Sequence, residues 1–220
     1  MEMTKRERYK KIASLLEHSF PKAEFELHFE STYQLFVAII LATRCTDKLV
    51  NETTPSFFAK YPSVYELAQA TEEELLRIIK SISFPETKAR HIIKAAKTIV
   101  FQHGGSIPNN QAELLQITGI GQKSANTILA EGFGIPAIAV DTHIARVSQR
   151  TGLSSQTLPE KIENDLIHII PKEKWITDSH RLILLGRYIC TFRSPMCDKC
   201  PIQLYCTTRT PEKANENLLF

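Results

Sequence analysis

A lysine directly follows a glycine-rich turn, in the segment Ile117-Thr118-Gly119-Ile120-Gly121-Gln122-Lys123. A neutral lysine amine is a nucleophile that can form a Schiff base with a carbon centre. Lys123 is predicted to lie in the first turn of a helix, where the positive end of the helix dipole disfavours a cation. Two hypotheses stay open from these residues: a solvated surface lysine, or a partly buried amine that is kept uncharged for attack on carbon.

An aspartate precedes another helical segment, in Val140-Asp141-Thr142-His143-Ile144. A carboxylate at such a position commonly accepts hydrogen bonds from the first backbone N–H groups of the helix, as an N-cap. The same carboxylate can also be directed into a cleft, and the two roles are compatible. We expect Asp141 to be an N-cap and a candidate catalytic carboxylate, whereas His143 is more simply explained as structural.

The two glycines of the turn suit contact with phosphate. Gly119 and Gly121 have no Cβ, so the turn can adopt positive φ and present its N–H groups to a ligand. These donors lie where the next helix begins, a position that binds anions. A Gly-x-Gly sequence is also common where a helix merely ends. With Ile117 and Ile120 as core anchors and helices on both sides, we predict that Gly119, Gly121 and Gln122 contact DNA phosphates.

Four of the five cysteines lie within seventeen positions: Cys190, Cys197, Cys200 and Cys206. The odd total and the lack of a secretory signal argue against disulfides. Four thiolates can hold zinc or an iron–sulfur cluster, and the C-x6-C-x2-C-x5-C spacing differs from zinc ribbons and ferredoxin motifs. The residues alone leave both possibilities open. The isolated Cys45 is more simply a buried apolar side chain.

The composition is that of an ordinary globular protein. Of 220 residues, 43% are hydrophobic and 23% charged, which excludes disordered, collagen-like and disulfide-scaffold classes. The longest apolar run, residues 35–42, is too short to span a bilayer. We therefore expect a cytoplasmic protein without membrane contact. The net charge of +3 is too small to identify a partner.

Helical periodicity dominates the chain and must position these residues. Thr71 and Glu74 are spaced as a capping box. The segment 33–42 is apolar on nearly every face, so we expect a central helix capped by Thr32. No strand-type alternation is present, and the predicted fold class is all-α with nine or ten helices. Further helices are predicted over 47–59, 87–102, 122–131, 142–149, 158–169 and 173–188.

Taken together, the Gly119-x-Gly121-x-Lys123 turn, the segment 140–143 and the cysteine spacing resemble the endonuclease III family of helix–hairpin–helix DNA glycosylases. The resemblance runs from the region of Leu27 to Cys206. It implies two all-α domains with a DNA-binding cleft between them. Residues 25–135 would form a six-helix domain with the helix–hairpin–helix motif. Residues 1–24 and 136–220 would together form a domain holding a 4Fe–4S cluster.

The resemblance also implies roles for individual residues. Lys123 would be the nucleophile and Asp141 the catalytic aspartate. Arg193, between the first two cysteines of the cluster, would contact the phosphate backbone. The metal ligands implied by the family are Cys190, Cys197, Cys200 and Cys206.

The activity implied is that of a bifunctional DNA glycosylase/AP lyase of base excision repair. It would remove oxidised pyrimidines from duplex DNA and cleave the strand 3′ to the abasic site, by β-elimination through a lysine Schiff base. The expected partner is double-stranded DNA with damaged bases or abasic sites, and the expected state is a monomer.

Some positions depart from the family pattern and leave the substrate preference open. Ile117-Thr118 replaces a Leu-Pro pair before the hairpin. Arg44 stands where the family has a glutamine that fills the gap left by the extruded base. Phe84, in the segment 83–85, stands where a leucine usually enters the duplex, and an aromatic ring there suits stacking.

Two alternative functions remain. A monofunctional thymine- or uracil-mismatch glycosylase would release a base without strand cleavage, and Lys123 argues against it. A non-catalytic helix–hairpin–helix DNA-binding protein would bind DNA without nicking it. The related adenine-mismatch glycosylases carry a catalytic glutamate where this chain has Ala38, and they lack the hairpin lysine.

Overall fold

The computed structural model describes residues 3–208, and all regular secondary structure in this range is helical. The predicted all-α class is therefore confirmed, with eleven α-helices in the described range where nine or ten were expected. The helices are α1 (Lys5–Ser19), α2 (Thr32–Ala42), α3 (Asp47–Lys60), α4 (Val64–Ala68), α5 (Glu72–Ile79), α6 (Pro85–His103), α7 (Gln111–Leu114), α8 (Gln122–Thr127), α9 (Thr142–Arg150), α10 (Pro159–Ile169) and α11 (Trp175–Tyr188).

The chain divides into two compact units. The central unit is Phe25–Ala137, and the terminal unit joins residues 3–24 with residues 138–208. The second boundary lies two residues after the position 135/136 expected from the sequence. None of the described helices combines the length and the apolar character needed to cross a membrane.

Helix α2 forms the centre of the central unit, as its composition predicts. Every side chain from Leu35 to Leu41 is buried. The helix begins one residue earlier than predicted, because the Ser31 hydroxyl accepts a 3.2 Å hydrogen bond from the Gln34 N–H. Serine and threonine are both good N-caps, so the assignment of the cap to Thr32 was wrong by one residue.

Helices α5 and α6 pack against each other in the same unit. The predicted capping box is present: the Glu74 N–H donates to the Thr71 hydroxyl, and the Thr71 N–H donates to the Glu74 carboxylate. Helix α6 begins at Pro85, two residues before the predicted start, since proline is well suited to the first helical position. Phe84 immediately precedes it.

In the terminal unit, α1 and α11 are joined by buried polar contacts. The Tyr9 hydroxyl donates a 2.6 Å hydrogen bond to Asp178, and Arg181 pairs with Asp178 at 2.8 Å. Helices α9 and α11 cross closely at Gly186, where an added Cβ would lie 2.8 Å from the Cβ of His143. His143 is therefore used in helix packing, in agreement with the structural role that the sequence favoured.

Candidate active site

The glycine-rich turn forms a hairpin between α7 and α8. The Ile117 N–H donates to the Leu114 carbonyl and the Ile120 N–H to the Ile117 carbonyl, each at 3.1 Å. Ile117 and Ile120 are both buried and anchor the hairpin in the core. The turn is thus held by successive backbone hydrogen bonds and by two apolar side chains, as expected from the sequence.

The two glycines differ in what they do. Gly119 has φ +89°, and a Cβ there would lie 3.3 Å from the Cβ of His91 on α6, so both conformation and packing require glycine. Gly121 is extended, with φ −104° and ψ −178°, and the expectation of positive φ is wrong for it. A Cβ on Gly121 would meet nothing within 4 Å. The fold itself therefore does not require glycine at Gly121, whose bare backbone is open to a ligand.

Lys123 is the second residue of α8 and its side chain is exposed. The helix turns Ala125 and Ile128 into the core, and this leaves Lys123 on the outer side. Of the two hypotheses drawn from the sequence, the structure of the free protein agrees with the solvated lysine and not with the partly buried amine. Gln122 is half-buried, and α8 continues into a π-helical turn over Ile128–Gly132. The amine is open to a ligand that approaches the hairpin.

Asp141 is the N-cap of α9, as predicted. Its Oδ1 accepts hydrogen bonds from the N–H groups of His143 at 2.9 Å and Ile144 at 2.8 Å. Both bonds end on Oδ1, so Oδ2 forms no hydrogen bond within the described part of the chain. The carboxylate is half-buried and belongs to the terminal unit, whereas Lys123 belongs to the central unit. The cap orients Asp141 and leaves one oxygen available for chemistry.

Arg44 and Phe84 lie side by side in the central unit. The guanidinium carbon of Arg44 is 5.8 Å from the centroid of the Phe84 ring, a cation–π contact. They are also the two non-glycine residues with positive φ among residues 3–208, at 54° and 57°. Both side chains are exposed, Phe84 to 56%. The structure thus brings together two of the three departures from the family pattern.

Lys88 is a residue that sequence reasoning missed. Its Nζ donates 2.7 Å hydrogen bonds to the carbonyl oxygens of Leu41 and Thr43, at the end of α2, and the side chain is only 5% exposed. Burial lowers the pKa of this ammonium, and the nearby Cys45 opposes the shift. The available signal was its place four residues before Ile92, on the buried face of α6.

Three of the four clustered cysteines, Cys190, Cys197 and Cys206, lie near the fourth, Cys200. Burial, with a smaller contribution from the neighbouring Cys190, Cys206 and Cys197, raises the pKa of the Cys200 thiol to about 11. Within residues 3–208, no three His, Cys, Asp or Glu side chains are arranged to hold a single metal ion. A 4Fe–4S cluster makes a different demand, since its four thiolates bind separate irons and need not meet at one point. Arg193 is exposed between the first two cysteines.

Arg150, at the end of α9, was also missed by sequence reasoning. Its guanidinium donates to the carbonyls of Thr191 at 2.8 Å and Phe192 at 3.0 Å, and to the Cys190 sulfur at 3.3 Å. Its own carbonyl accepts from the N–H groups of Thr207 at 3.0 Å and Thr208 at 3.2 Å. Arg150 thus forms hydrogen bonds at both ends of the cysteine segment, residues 190–208.

The fold and the hairpin define a helix–hairpin–helix protein, and comparison with known families agrees. Residues 37–172 match the model of the HhH-GPD superfamily base excision DNA repair protein. Endonuclease III of Bacillus subtilis is 42% identical over 188 residues, 85% of this chain and 86% of the relative. Endonuclease III of Escherichia coli is 35% identical over 204 residues, 93% of this chain and 96% of the relative.

Comparison with solved structures also points to endonuclease III. A trapped endonuclease III–DNA covalent intermediate, in an estranged-adenine complex, matches with a TM-score of 0.89 and 36% identity, covering 94% of this chain and 97% of that one. A non-covalent endonuclease III–DNA complex matches at 0.88 and 37%, with the same coverage. A thermostable thymine-DNA glycosylase, 22% identical, shares the fold with a TM-score of 0.83 over 91% of this chain and 96% of that one. This chain belongs to the HhH-GPD superfamily, in the endonuclease III family.

Proposed function

We propose that this protein is a bifunctional DNA glycosylase/AP lyase of base excision repair, which removes oxidised pyrimidines from duplex DNA and cleaves the strand 3′ to the abasic site. The observation that carries the proposal is the exposed amine of Lys123, one helical residue beyond a hairpin whose Gly121 backbone is open to a ligand. Among the similar structures is an endonuclease III caught as a covalent intermediate with DNA.

The reaction begins when the damaged base leaves the stack, at a cost of a few kcal/mol. The Lys123 amine bonds to C1′ of the sugar as the glycosidic bond breaks, and the electron pair of the glycosidic bond leaves with the base. Opening of the sugar ring gives a protonated Schiff base. Loss of a C2′ proton then expels the 3′ phosphate oxygen. The free protein exposes Lys123, so the exclusion of water that favours a neutral amine has to come from bound DNA.

Asp141 is assigned the role of the catalytic carboxylate. With Oδ1 occupied by the N–H groups of His143 and Ile144, Oδ2 is the oxygen that can accept the lysine proton or stabilise positive charge on the sugar. A carboxylate in this role accelerates such a step by about 10²- to 10⁴-fold.

The DNA contacts follow from the exposed groups. We assign phosphate binding to the backbone at Gly119, Gly121 and Gln122 and to the Arg193 guanidinium, because both kinds of donor bind phosphate oxygens. Arg44 and Phe84 would enter the duplex, where an apolar or aromatic wedge can separate base steps.

We further propose that Cys200 and its three neighbouring cysteines bind a 4Fe–4S cluster through their thiolates. The proximity of the four sulfurs and the hydrogen bond from Arg150 to the Cys190 sulfur fit such a group. The cluster would act as a structural crosslink, with no part in the bond-breaking steps. Its effect on the chain would be to hold the loop that presents Arg193, a stretch that has only short 3-10 turns of its own.

The cofactor is tested by iron content and by absorbance near ~400 nm. Cys197→Ser or Cys200→Ser should lose the iron and the absorbance, while Cys45→Ser, the matched change of a thiol outside the cluster, should keep both. Purification of a colourless protein that contains zinc in place of iron would contradict the assignment.

The reaction is tested by adding borohydride during incubation with a duplex that contains one oxidised pyrimidine. Reduction of the Schiff base should give a covalent protein–DNA adduct with the native chain and none with Lys123→Gln. Lys97→Gln, the same change at an exposed lysine of α6, should trap like the native chain. Trapping by Lys123→Gln at the native rate would show that the nucleophile is another residue.

Neither alternative would give an adduct, and analysis of the released base and of the strand in incubations without borohydride separates them. A monofunctional mismatch glycosylase would release the base and leave the strand intact, and a DNA-binding protein without activity would bind the duplex but leave base and strand in place.

A further inference from the structure

The side chain of Arg150 donates a hydrogen bond to the sulfur of Cys190, one of the four cysteines of the proposed cluster site. On the basis of the 4Fe–4S cluster proposed above, we propose that Arg150 raises the reduction potential of that cluster. Its guanidinium, bonded to the Cys190 sulfur, would stabilise the form of the cluster that holds one electron more. The native chain would then resist oxidants that act on the cluster of a protein without this arginine.

The guanidinium of Arg150 is held in place by hydrogen bonds at both ends of the cysteine segment. Its Nη1 lies 3.3 Å from the Cys190 Sγ and 2.8 Å from the Thr191 carbonyl oxygen. Its Nη2 lies 3.0 Å from the carbonyl oxygen of Phe192. At the other end of the segment, the Arg150 carbonyl accepts a 2.7 Å hydrogen bond from the Thr208 hydroxyl. The contact with the sulfur is therefore part of the fold and does not depend on bound DNA.

The charge of the guanidinium determines the direction of the effect. Arginine stays protonated in proteins, and a hydrogen bond with a charged donor is roughly twice as strong as a neutral one. A 4Fe–4S cluster with a 2+ core and four thiolates has an overall charge of about −2, which becomes about −1 when one electron is removed. A positive group at the Cys190 sulfur favours the more negative form. Both net charge and hydrogen bonds to the sulfurs set the potentials of such clusters.

A purely structural role of Arg150 makes the opposite prediction. The guanidinium also holds the carbonyls of Thr191 and Phe192, so its loss would loosen this loop and admit water to the cluster. Water stabilises the more highly charged form, because removal from water disfavours charge. The reduction potential would then rise when the arginine is replaced. The sign of the shift therefore distinguishes a direct effect of the hydrogen bond to sulfur from a loosened loop.

The test measures the midpoint potential of the purified, iron-containing protein by voltammetry without DNA. The cluster gives one electron to the electrode, its core passes from 2+ to 3+, and no bond breaks. Arg150→Gln keeps N–H donors but removes the charge. At a fixed applied potential its ratio of oxidised to reduced cluster should be about tenfold higher, a shift of about 59 mV to lower potential. Arg150→Lys keeps the charge but replaces the fork of donors by one ammonium, so its potential should fall by less.

Arg193→Gln is the matched control, because Arg193 is an exposed arginine of the same loop and solvent screens its charge. It should leave the potential nearly unchanged. A potential at or above the native value in either Arg150 variant would overturn the role of Arg150 and leave the cluster assignment intact. Loss of iron from both variants would overturn a role in setting the potential and show that Arg150 is needed to hold the cluster. Absence of iron from the native chain would instead overturn the cluster itself.

Discussion

The Lys88 ammonium lies 2.7 Å from the carbonyl oxygen of Leu41 and donates a hydrogen bond to it. Lys88 belongs to the first turn of α6 and Leu41 to the last turn of α2. Cations are favoured at the carboxyl-terminal end of a helix, where backbone carbonyls lack partners. One side chain thus ties together the segments that precede Arg44 and follow Phe84.

Lys88→Met should therefore lower the free energy of unfolding by about 1–3 kcal/mol, because methionine keeps the apolar stem but leaves two carbonyls without a donor. Urea denaturation measures the change. Lys94→Met, an exposed position on the same helix, should change stability by less than about 0.5 kcal/mol. Equal effects of the two substitutions would mean that the hydrogen bonds of Lys88 contribute nothing measurable.

Substitution by alanine should affect stability differently at the two hairpin glycines. Gly119→Ala should destabilise the protein by about 1–2 kcal/mol, because the positive φ is unfavourable for alanine and its Cβ crowds His91. Gly121→Ala should change the free energy of unfolding by less than about 0.5 kcal/mol, since its conformation is extended and the space is open.

DNA affinity provides the second readout for this pair. A methyl group on Gly121 would stand between the backbone and a phosphate, so we expect Gly121→Ala to bind duplex DNA about tenfold more weakly, equivalent to about 1.4 kcal/mol. Native affinity in a normally folded Gly121→Ala protein would argue against phosphate contact at this residue.

Asp141 combines a structural with a catalytic assignment, and two substitutions separate them. Asp141→Asn keeps an N-cap acceptor and should cost little stability, whereas Asp141→Ala removes the cap and should cost about 1 kcal/mol. Both remove the carboxylate, so single-turnover base excision should fall by about 100-fold or more in each. If Asp141→Asn excised bases at the native rate, the residue would be a helix cap only.

Alkaline pH should destabilise the protein through the half-buried phenol of Tyr33. Burial raises the pKa of Tyr33 well above its usual range, and its hydroxyl donates to the Tyr61 carbonyl at 2.8 Å. Above about pH 10 the phenol ionises in the unfolded chain but stays protonated in the folded one. The unfolded state then binds fewer protons, and stability falls as pH rises, by about 1.4 kcal/mol per pH unit for this group.

The check is urea denaturation of the native chain and of Tyr33→Phe at pH 9 and pH 11. The substituted protein is expected to lose less stability between the two values, because the phenol is gone. Identical losses would show that Tyr33 does not contribute to the alkaline transition.

Local signals in the sequence determined most of the helices, the caps at Thr71 and Asp141, and the family. Apolar residues at helical spacing predicted the fold class because burial of one face dominates helix stability. The capping box at Thr71 and the N-cap at Asp141 were predictable because each depends on hydrogen bonds within three residues. The hairpin motif and the cysteine spacing identified the family for the same reason: each is contiguous in the chain.

Only the tertiary structure decided how distant residues meet. Lys88 and Leu41 are 47 positions apart, and Arg44 is 40 positions from Phe84, so no local pattern indicates that they touch. The exposure of Lys123 depends on which face of α8 the core covers, and the fastening of the cysteine segment by Arg150 depends on the path of the chain after α11. Such contacts arise from long-range packing, which brings together groups whose separation in sequence carries no information about their distance in space.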